Sequence, residues 1–241
     1  MAIKQAVILA AGLGTRLRPY TDTMPKPMIP ILGKPMLQWN IEQFKKHGIM
    51  EFFINLHYLP DVIKNYFGDG SKFGVKITYN VEPIILGTAG GVKAFEDRLG
   101  DEFFLTYGDT LSLVDYSKMR AAWEKLPPFA IGMQRMERTD AYGDADVAEL
   151  DKSGAYMAIH AKPHSETYAN AYRMRGVFIL KKKILSFVPP GKSYEIGKQL
   201  LSDIVRRGEA FYSYECNDFS KGIDTLEKWK EVEAYLKSQE I

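Results

Sequence analysis

Short apolar runs and amphipathic stretches alternate through the first half of the chain. Ala6-Val7-Ile8-Leu9-Ala10 is a continuous apolar run that gives way to glycine, the pattern of a buried strand. Leu37, Ile41 and Phe44 recur at helical spacing, and Gly48 stops the helix they predict. Phe52-Phe53-Ile54 repeats the buried-strand pattern, and Val62, Ile63, Tyr66 and Phe67 predict a short helix ending at Gly68. Val75 to Tyr79 alternates as a strand does, Val92 to Leu99 reads as a helix, and Phe103-Phe104-Leu105 is a further strand. Strand and helix in turn, punctuated by glycine, predict a parallel sheet covered on both faces.

The second half has another rhythm. Phe129 to Gln134, Ala145 to Leu150, Ala155 to His160 and Met174 to Leu180 read as strands with little helix between them, hence antiparallel additions. Glu195 to Arg207 and Leu226 to Leu236 read as closing helices. No Pro/Gly/Ser-rich linker divides the chain, so residues 1–241 are expected to form a single α/β domain.

Composition narrows the function. Of 241 residues, 46% are hydrophobic and 26% charged, as in ordinary globular proteins. A net charge of +2 is no basic footprint for nucleic acid. No apolar run approaches the roughly 18–20 residues that span a bilayer. Met1 to Gln5 lacks the layout of a secretory signal. Cys216 is the single cysteine and cannot form an internal disulfide, so a cytoplasmic setting is expected. His47, His57, His160 and His164 show no metal-ligand spacing. His47 reads as a helix-end residue, and His57, which follows a strand, as a packed loop histidine or else as one that faces the cleft.

The chemistry concentrates after the first strand. Ala10-Ala11-Gly12-Leu13-Gly14-Thr15-Arg16-Leu17-Arg18-Pro19 joins glycines, which let backbone N–H groups approach phosphate, to two guanidinium groups that match phosphate oxygens. Leu17 stands where a dinucleotide fingerprint needs glycine, and no Gly-Lys-Ser/Thr of a Walker loop is present. A tight turn is the purely structural alternative. Met24-Pro25-Lys26-Pro27-Met28 stiffens the chain around one lysine, suited to a charge that must stay in place beside reacting phosphate; the alternative is a surface lysine.

These two segments, with Gly33-Lys34-Pro35-Met36-Leu37, resemble the nucleotidyltransferases that activate sugar 1-phosphates. The resemblance implies a Rossmann-like fold, with a mostly parallel central sheet flanked by helices. It also implies an enzyme that joins a nucleoside triphosphate to a sugar 1-phosphate with Mg²⁺ and releases pyrophosphate. Leu9, Ala10, Ala11, Gly12, Gly14 and Thr15 would then bind the nucleotide, Arg16 the departing pyrophosphate, and Lys26 the α-phosphate. Asp109, in Tyr107-Gly108-Asp109-Thr110, takes the position of a metal ligand. Asp224, in Ile223-Asp224-Thr225-Leu226-Glu227, is the second metal candidate, and with Glu227 it also reads as a helix capping box. Such relatives often form dimers or tetramers, so a homo-oligomer is compatible with the resemblance.

Base and sugar contacts follow from the same likeness. Glu82 precedes Leu86-Gly87-Thr88-Ala89-Gly90-Gly91, where relatives read the base, and Gly87 and Thr88 join the nucleotide site. An ionised carboxylate only accepts, which suits the paired donors of guanine and favours GTP; the alternative for Glu82 is a solvated strand-end acid. Tyr142 and Gly143 match a sugar-side position, and Lys162 matches a lysine that holds the sugar phosphate. Ala161 replaces the usual acid before that lysine. Arg173 and Arg175 read as exposed strand charges or as holders of a further anion. The Ile-Asp-Thr-Leu segment looks more like cytidylyltransferases, so CTP, with a sugar or a non-sugar phosphate such as phosphocholine, stands as an alternative. A second is a regulatory subunit that binds a nucleotide sugar without turnover.

Overall fold

The computed structural model describes residues 3–138, 145–164, 167–168 and 171–239. In chain order the strands and helices are β1 (Gln5–Leu9), β2 (Pro30–Ile31), β3 (Lys34–Pro35), α1 (Met36–Lys46), β4 (Glu51–Leu56), α2 (Pro60–Phe67), β5 (Lys76–Val81) and α3 (Gly87–Lys93). There follow β6 (Glu102–Tyr107), β7 (Thr110–Ser112), α4 (Tyr116–Trp123), β8 (Gly132–Arg138), β9 (Val147–Leu150), β10 (Tyr156–His160) and β11 (Ala171–Lys181). The chain closes with α5 (Ser202–Arg206), β12 (Phe211–Glu215), β13 (Ser220–Gly222) and α6 (Leu226–Ser238).

The fold is α/β, and the chain forms two compact units, neither continuous in sequence. The first holds the residues up to Ile85, Thr106–Tyr116 and those from Asp218 onward; the second holds Leu86–Leu105 and Ser117–Asn217.

In the first unit β1, β4 and β5 pair in parallel, Ala6 beside Phe52 and Phe52 beside Ile77. The apolar runs of β1 and β4 are buried throughout their centres, as strands covered on both faces require. Phe44 of α1 stacks on Tyr116 at 3.9 Å and meets Phe52 edge-on at 6.0 Å. Each such side chain stabilises the fold by roughly 1.5–3 kcal/mol on burial. A second cluster joins Leu17, Ile29, Ile31, Met36 and Leu111 to Ile223, Val232 and Leu236. Trp229 of α6 donates to the Pro30 carbonyl at 3.0 Å and fastens that helix. β13 pairs antiparallel with β7, Gly222 opposite Thr110.

In the second unit the strand order is β10-β9-β11-β6, and β8 lies between β11 and β12. The pairs β9–β10, β8–β11 and β9–β11 are antiparallel, as expected, whereas β12 joins β8 in parallel. The segment Val92–Leu99, expected as a helix, is only partly so. α3 begins at Gly87 and ends at Lys93, and one short 3-10 turn covers Glu96–Arg98. Glycine is a poor helix former, so Gly87, Gly90 and Gly91 hid the true start. Ala89 and Gly90 donate to the Tyr194 carbonyl, a contact from the distant chain that sets where the helix begins. The strand expected from Phe129 starts at Gly132, and Phe129 itself is exposed. The helix expected over Glu195–Arg207 begins as a π-type segment, Ile196–Leu201, before α5. Among the described residues no helix is long and apolar enough to cross a membrane.

Candidate active site

The site is built at the carboxyl end of β1, within the first unit. Asn55 of β4 accepts from the Ala10 N–H at 2.8 Å and so fixes the point where the chain leaves the sheet. Gly14 then turns with φ +66°, a left-handed conformation that favours glycine. A Cβ there would sit 3.2 Å from the Thr21 methyl and 3.3 Å from Lys26 Cβ. The Thr21 hydroxyl donates to the Gly14 carbonyl at 2.8 Å and draws the loop back on itself. Among the described residues, the N–H groups of Gly12, Leu13, Gly14 and Thr15 find no hydrogen-bond partner. The loop is thus both a tight turn and a row of available donors.

Five charged groups meet beside it. Lys26 Nζ lies 2.7 Å from Asp109 Oδ2, and its side chain is only 9% exposed. The surface-lysine alternative is therefore overturned: the ammonium is covered and holds a carboxylate, as a buried charge must. Arg16 Nη1 lies 2.7 Å from Asp224 Oδ2, and Lys228 Nζ lies 2.6 Å from Asp224 Oδ1. Arg16 remains 66% exposed whereas Asp224 is 14% exposed. Burial pushes the Asp224 carboxyl up, but Lys228, Arg16 and Lys26 outweigh it and hold the group below the ordinary carboxylate value.

Backbone packing sets the two aspartates side by side. The Gly108 N–H donates to the Leu9 carbonyl at 2.8 Å, tying the Asp109 turn to the end of β1. A Cβ on Gly108 would sit 3.0 Å from that carbonyl oxygen, so close an approach needs glycine. The Ile223 N–H donates to the Asp109 carbonyl at 2.9 Å, and the β7–β13 ladder continues the contact. The helix cap falls one residue after Asp224. Thr225 is the N-cap of α6, its hydroxyl accepting from the Lys228 N–H at 3.3 Å. The capping-box reading of Asp224 with Glu227 is corrected accordingly, and the Asp224 carboxylate is left to the ion pairs.

Other expected residues lie as follows. Glu82 follows β5 and is 2% exposed, so it is no solvated strand-end acid. Asn55 donates to its carboxylate at 2.7 Å, and His57 Nδ1 meets the Glu82 carbonyl at 2.7 Å. His57 is thus a packed loop histidine, and His47 is the C-terminal cap of α1. In the second unit the Thr88 hydroxyl donates to Glu195 at 2.7 Å and accepts from the Ile196 N–H at 2.8 Å. The Lys162 N–H donates to Asp146 at 3.1 Å. Arg175 pairs with Glu137 on the neighbouring strand and is part-buried, so it is no exposed strand charge. Tyr142 and Gly143 lie outside the described residues.

Sequence reading missed Asn55, Lys228 and Glu195. Asn55 had a signal, a lone amide inside the apolar run from Phe52 to Leu56. Lys228 also had a signal, its place four residues after Asp224 at the start of a predicted helix; Glu195 had none, because it acts on Thr88, 107 positions away. Asp109 and Asp224 together suit a magnesium ion, which takes one or two carboxylates and completes its shell with phosphate and water. Among the described residues no group of three or more His, Cys, Asp or Glu forms a cage for a metal on its own.

The Nucleotidyl transferase family model matches residues 5–235, and the chain belongs to that family. It is 32% identical, over 98% of its own length, to a UTP–glucose-1-phosphate uridylyltransferase of Synechocystis sp.. It is 39% identical, over 61% of its length, to a D-glycero-alpha-D-manno-heptose 1-phosphate guanylyltransferase of Campylobacter jejuni. The matched regions span 64% and 65% of those relatives' own lengths. In fold it is similar to HddC from Yersinia pseudotuberculosis, with a TM-score of 0.80 at 24% identity over 97% of this chain and 100% of that one. The inositol-1-phosphate CTP transferase of T. maritima has a TM-score of 0.80 at 21% identity, over 98% and 97% of the two chains.

Proposed function

We propose that this chain transfers a nucleotidyl group from a nucleoside triphosphate to a sugar 1-phosphate, forming a nucleoside diphosphate sugar and pyrophosphate. The observation that carries the reading is the cluster beside the glycine loop, where Lys26 meets Asp109 and Arg16 meets Asp224, each at 2.7 Å. The names of the relatives support the same class of reaction.

An oxygen of the acceptor's phosphate bonds to the α-phosphorus. The bond from that phosphorus to the bridging oxygen breaks, and the electron pair leaves on pyrophosphate. No side chain needs to act as nucleophile, so the protein contributes position and charge. Lys26, covered and held between Pro25 and Pro27, neutralises charge on the α-phosphate. Arg16, largely exposed, reaches the departing pyrophosphate. The N–H groups from Gly12 to Thr15 cradle the triphosphate, with Leu9, Ala10 and Ala11 beneath it. Asp109 and Asp224 would hold Mg²⁺, which when bound spreads the phosphate charge as a Lewis acid. Gly87 and Thr88 at the nucleotide, and Lys162 at the sugar phosphate, rest on the motif likeness.

Guanine is the base favoured. Glu82, its carboxylate steadied by Asn55, accepts where guanine offers two adjacent donors. The test is pyrophosphate release with Mg²⁺, crossing GTP, CTP, UTP, dTTP and ATP with sugar 1-phosphates and phosphocholine. GTP with a mannose- or heptose-type phosphate is the expected pair. CTP preference would give the base to the Ile223–Leu226 likeness. Turnover of phosphocholine would follow from the missing acid at Ala161. Nucleotide binding without release from any pair would make the chain a regulatory binder.

A further inference from the structure

We infer that the two ion pairs form a partner-exchange latch, which makes metal binding and polyphosphate binding depend on one another. The inference rests on the nucleotidyl-transfer reading of the same residues. Asp109 and Asp224, the carboxylates suited to a metal, hold the very cations suited to phosphate, Lys26 and Arg16, at 2.7 Å each. Asp224 holds a second cation, Lys228, at 2.6 Å. The Ile223 N–H bond to the Asp109 carbonyl makes the two carboxylates one assembly.

A polyphosphate that took Arg16 and Lys26 by itself would strip Asp109 of its cation and leave Asp224 with Lys228 alone, two carboxylates beside its own oxygens. A metal that took Asp109 and Asp224 by itself would strand three cations beside it. Bound together, the metal takes both carboxylates and the polyphosphate takes Lys26 and Arg16, while Lys228 stays beside Asp224. The coupling is reciprocal by necessity. The arms of the latch are unequal. Lys26 is 9% exposed and stays in place, while its partner Asp109, 44% exposed, has room to turn. Arg16 is 66% exposed, so it swings away from the more buried Asp224.

Two isothermal or spectroscopic measurements test this without turnover. Inorganic pyrophosphate is titrated in excess EDTA into the wild type and into Asp224→Asn, which keeps the shape and removes the charge. The variant is expected to bind roughly 5–150-fold tighter, the usual range of coupling between sites. Mn²⁺ alone, followed by electron paramagnetic resonance, is expected to bind tighter to Arg16→Gln than to the wild type. Circular dichroism establishes that each variant is folded. Asp109→Asn, expected to free Lys26 and tighten pyrophosphate in the same way, replaces Asp224→Asn if that variant fails to fold. A folded variant that binds its probe no tighter than the wild type overturns the latch and leaves the reaction class standing. A wild type that binds neither pyrophosphate nor any nucleoside triphosphate with Mg²⁺ overturns both.

Discussion

Lys26 shows how one residue combines fold and chemistry. It stands between two prolines in the chain, its side chain is 9% exposed, and its ammonium meets Asp109 at 2.7 Å. Lys26→Met keeps the stem and removes the charge. Steady-state pyrophosphate release is expected to fall roughly 10²–10³-fold, as for other groups that stabilise charge at the reacting centre. An unchanged circular dichroism spectrum would show that the fold survives, and normal turnover would sink the role. Gly108 acts through space rather than charge. A methyl there meets the Leu9 carbonyl at 3.0 Å and Pro27 Cγ at 3.3 Å. Gly108→Ala is expected to cost about 1–3 kcal/mol in urea unfolding, the ordinary penalty of overpacking. Both residues stood out in the sequence, Lys26 through its prolines and Gly108 through its place beside Asp109. That Lys26 would be covered was not legible, since its partner stands 83 positions away.

At the scale of elements, α6 and the segment before it matter most. Thr225 caps the helix, and α6 is fastened by Trp229 to Pro30 and by Glu233 to the Leu32 N–H at 3.1 Å. Thr225→Ala is expected to lower stability by about 1 kcal/mol, read as a shift in the denaturant midpoint at constant slope. Because Asp224 is the preceding residue, loss of the cap is also expected to raise the Mg²⁺ concentration needed for half-maximal turnover. A midpoint equal to wild type would return the cap to Asp224. Helices with apolar periodicity, such as α1, α2 and α6, were legible, because burial of one face imposes the spacing. α3 was misplaced, because its start is set by hydrogen bonds to Tyr194 and its glycines carry no such spacing.

At the scale of the whole molecule, acid stability follows from paired carboxylates. The Glu51 carboxyl is lowered chiefly by Gln5 and then by Lys76. Burial pushes Glu42, Glu137 and Asp224 up, yet each ends below its ordinary value. Lys34 with Gln38 outweighs burial at Glu42, Arg175 at Glu137, and Lys228 with Arg16 at Asp224. A carboxyl depressed in the folded state contributes its stability in full above the unfolded value, 4.5 for Glu and 3.8 for Asp. That contribution is lost as pH falls through the folded value. The melting temperature should therefore hold from neutrality to about pH 5 and drop below it. A melting temperature that rose on acidification from pH 5 would contradict these pairings.

The sequence by itself determined the α/β class, the glycine loop after β1 and the lysine held by prolines. These are local signals: apolar period, turn chemistry and fixed backbone angles act on neighbours along the chain. Only the tertiary structure decided which charges meet. Arg16 reaches Asp224 across 208 positions, and Asp224 stands beside Asp109 because a short antiparallel ladder aligns Gly222 with Thr110. Tertiary packing likewise covered Glu82 and gave the cap of α6 to Thr225. Burial and long-range pairing depend on how distant elements pack, and no periodicity along the chain records that.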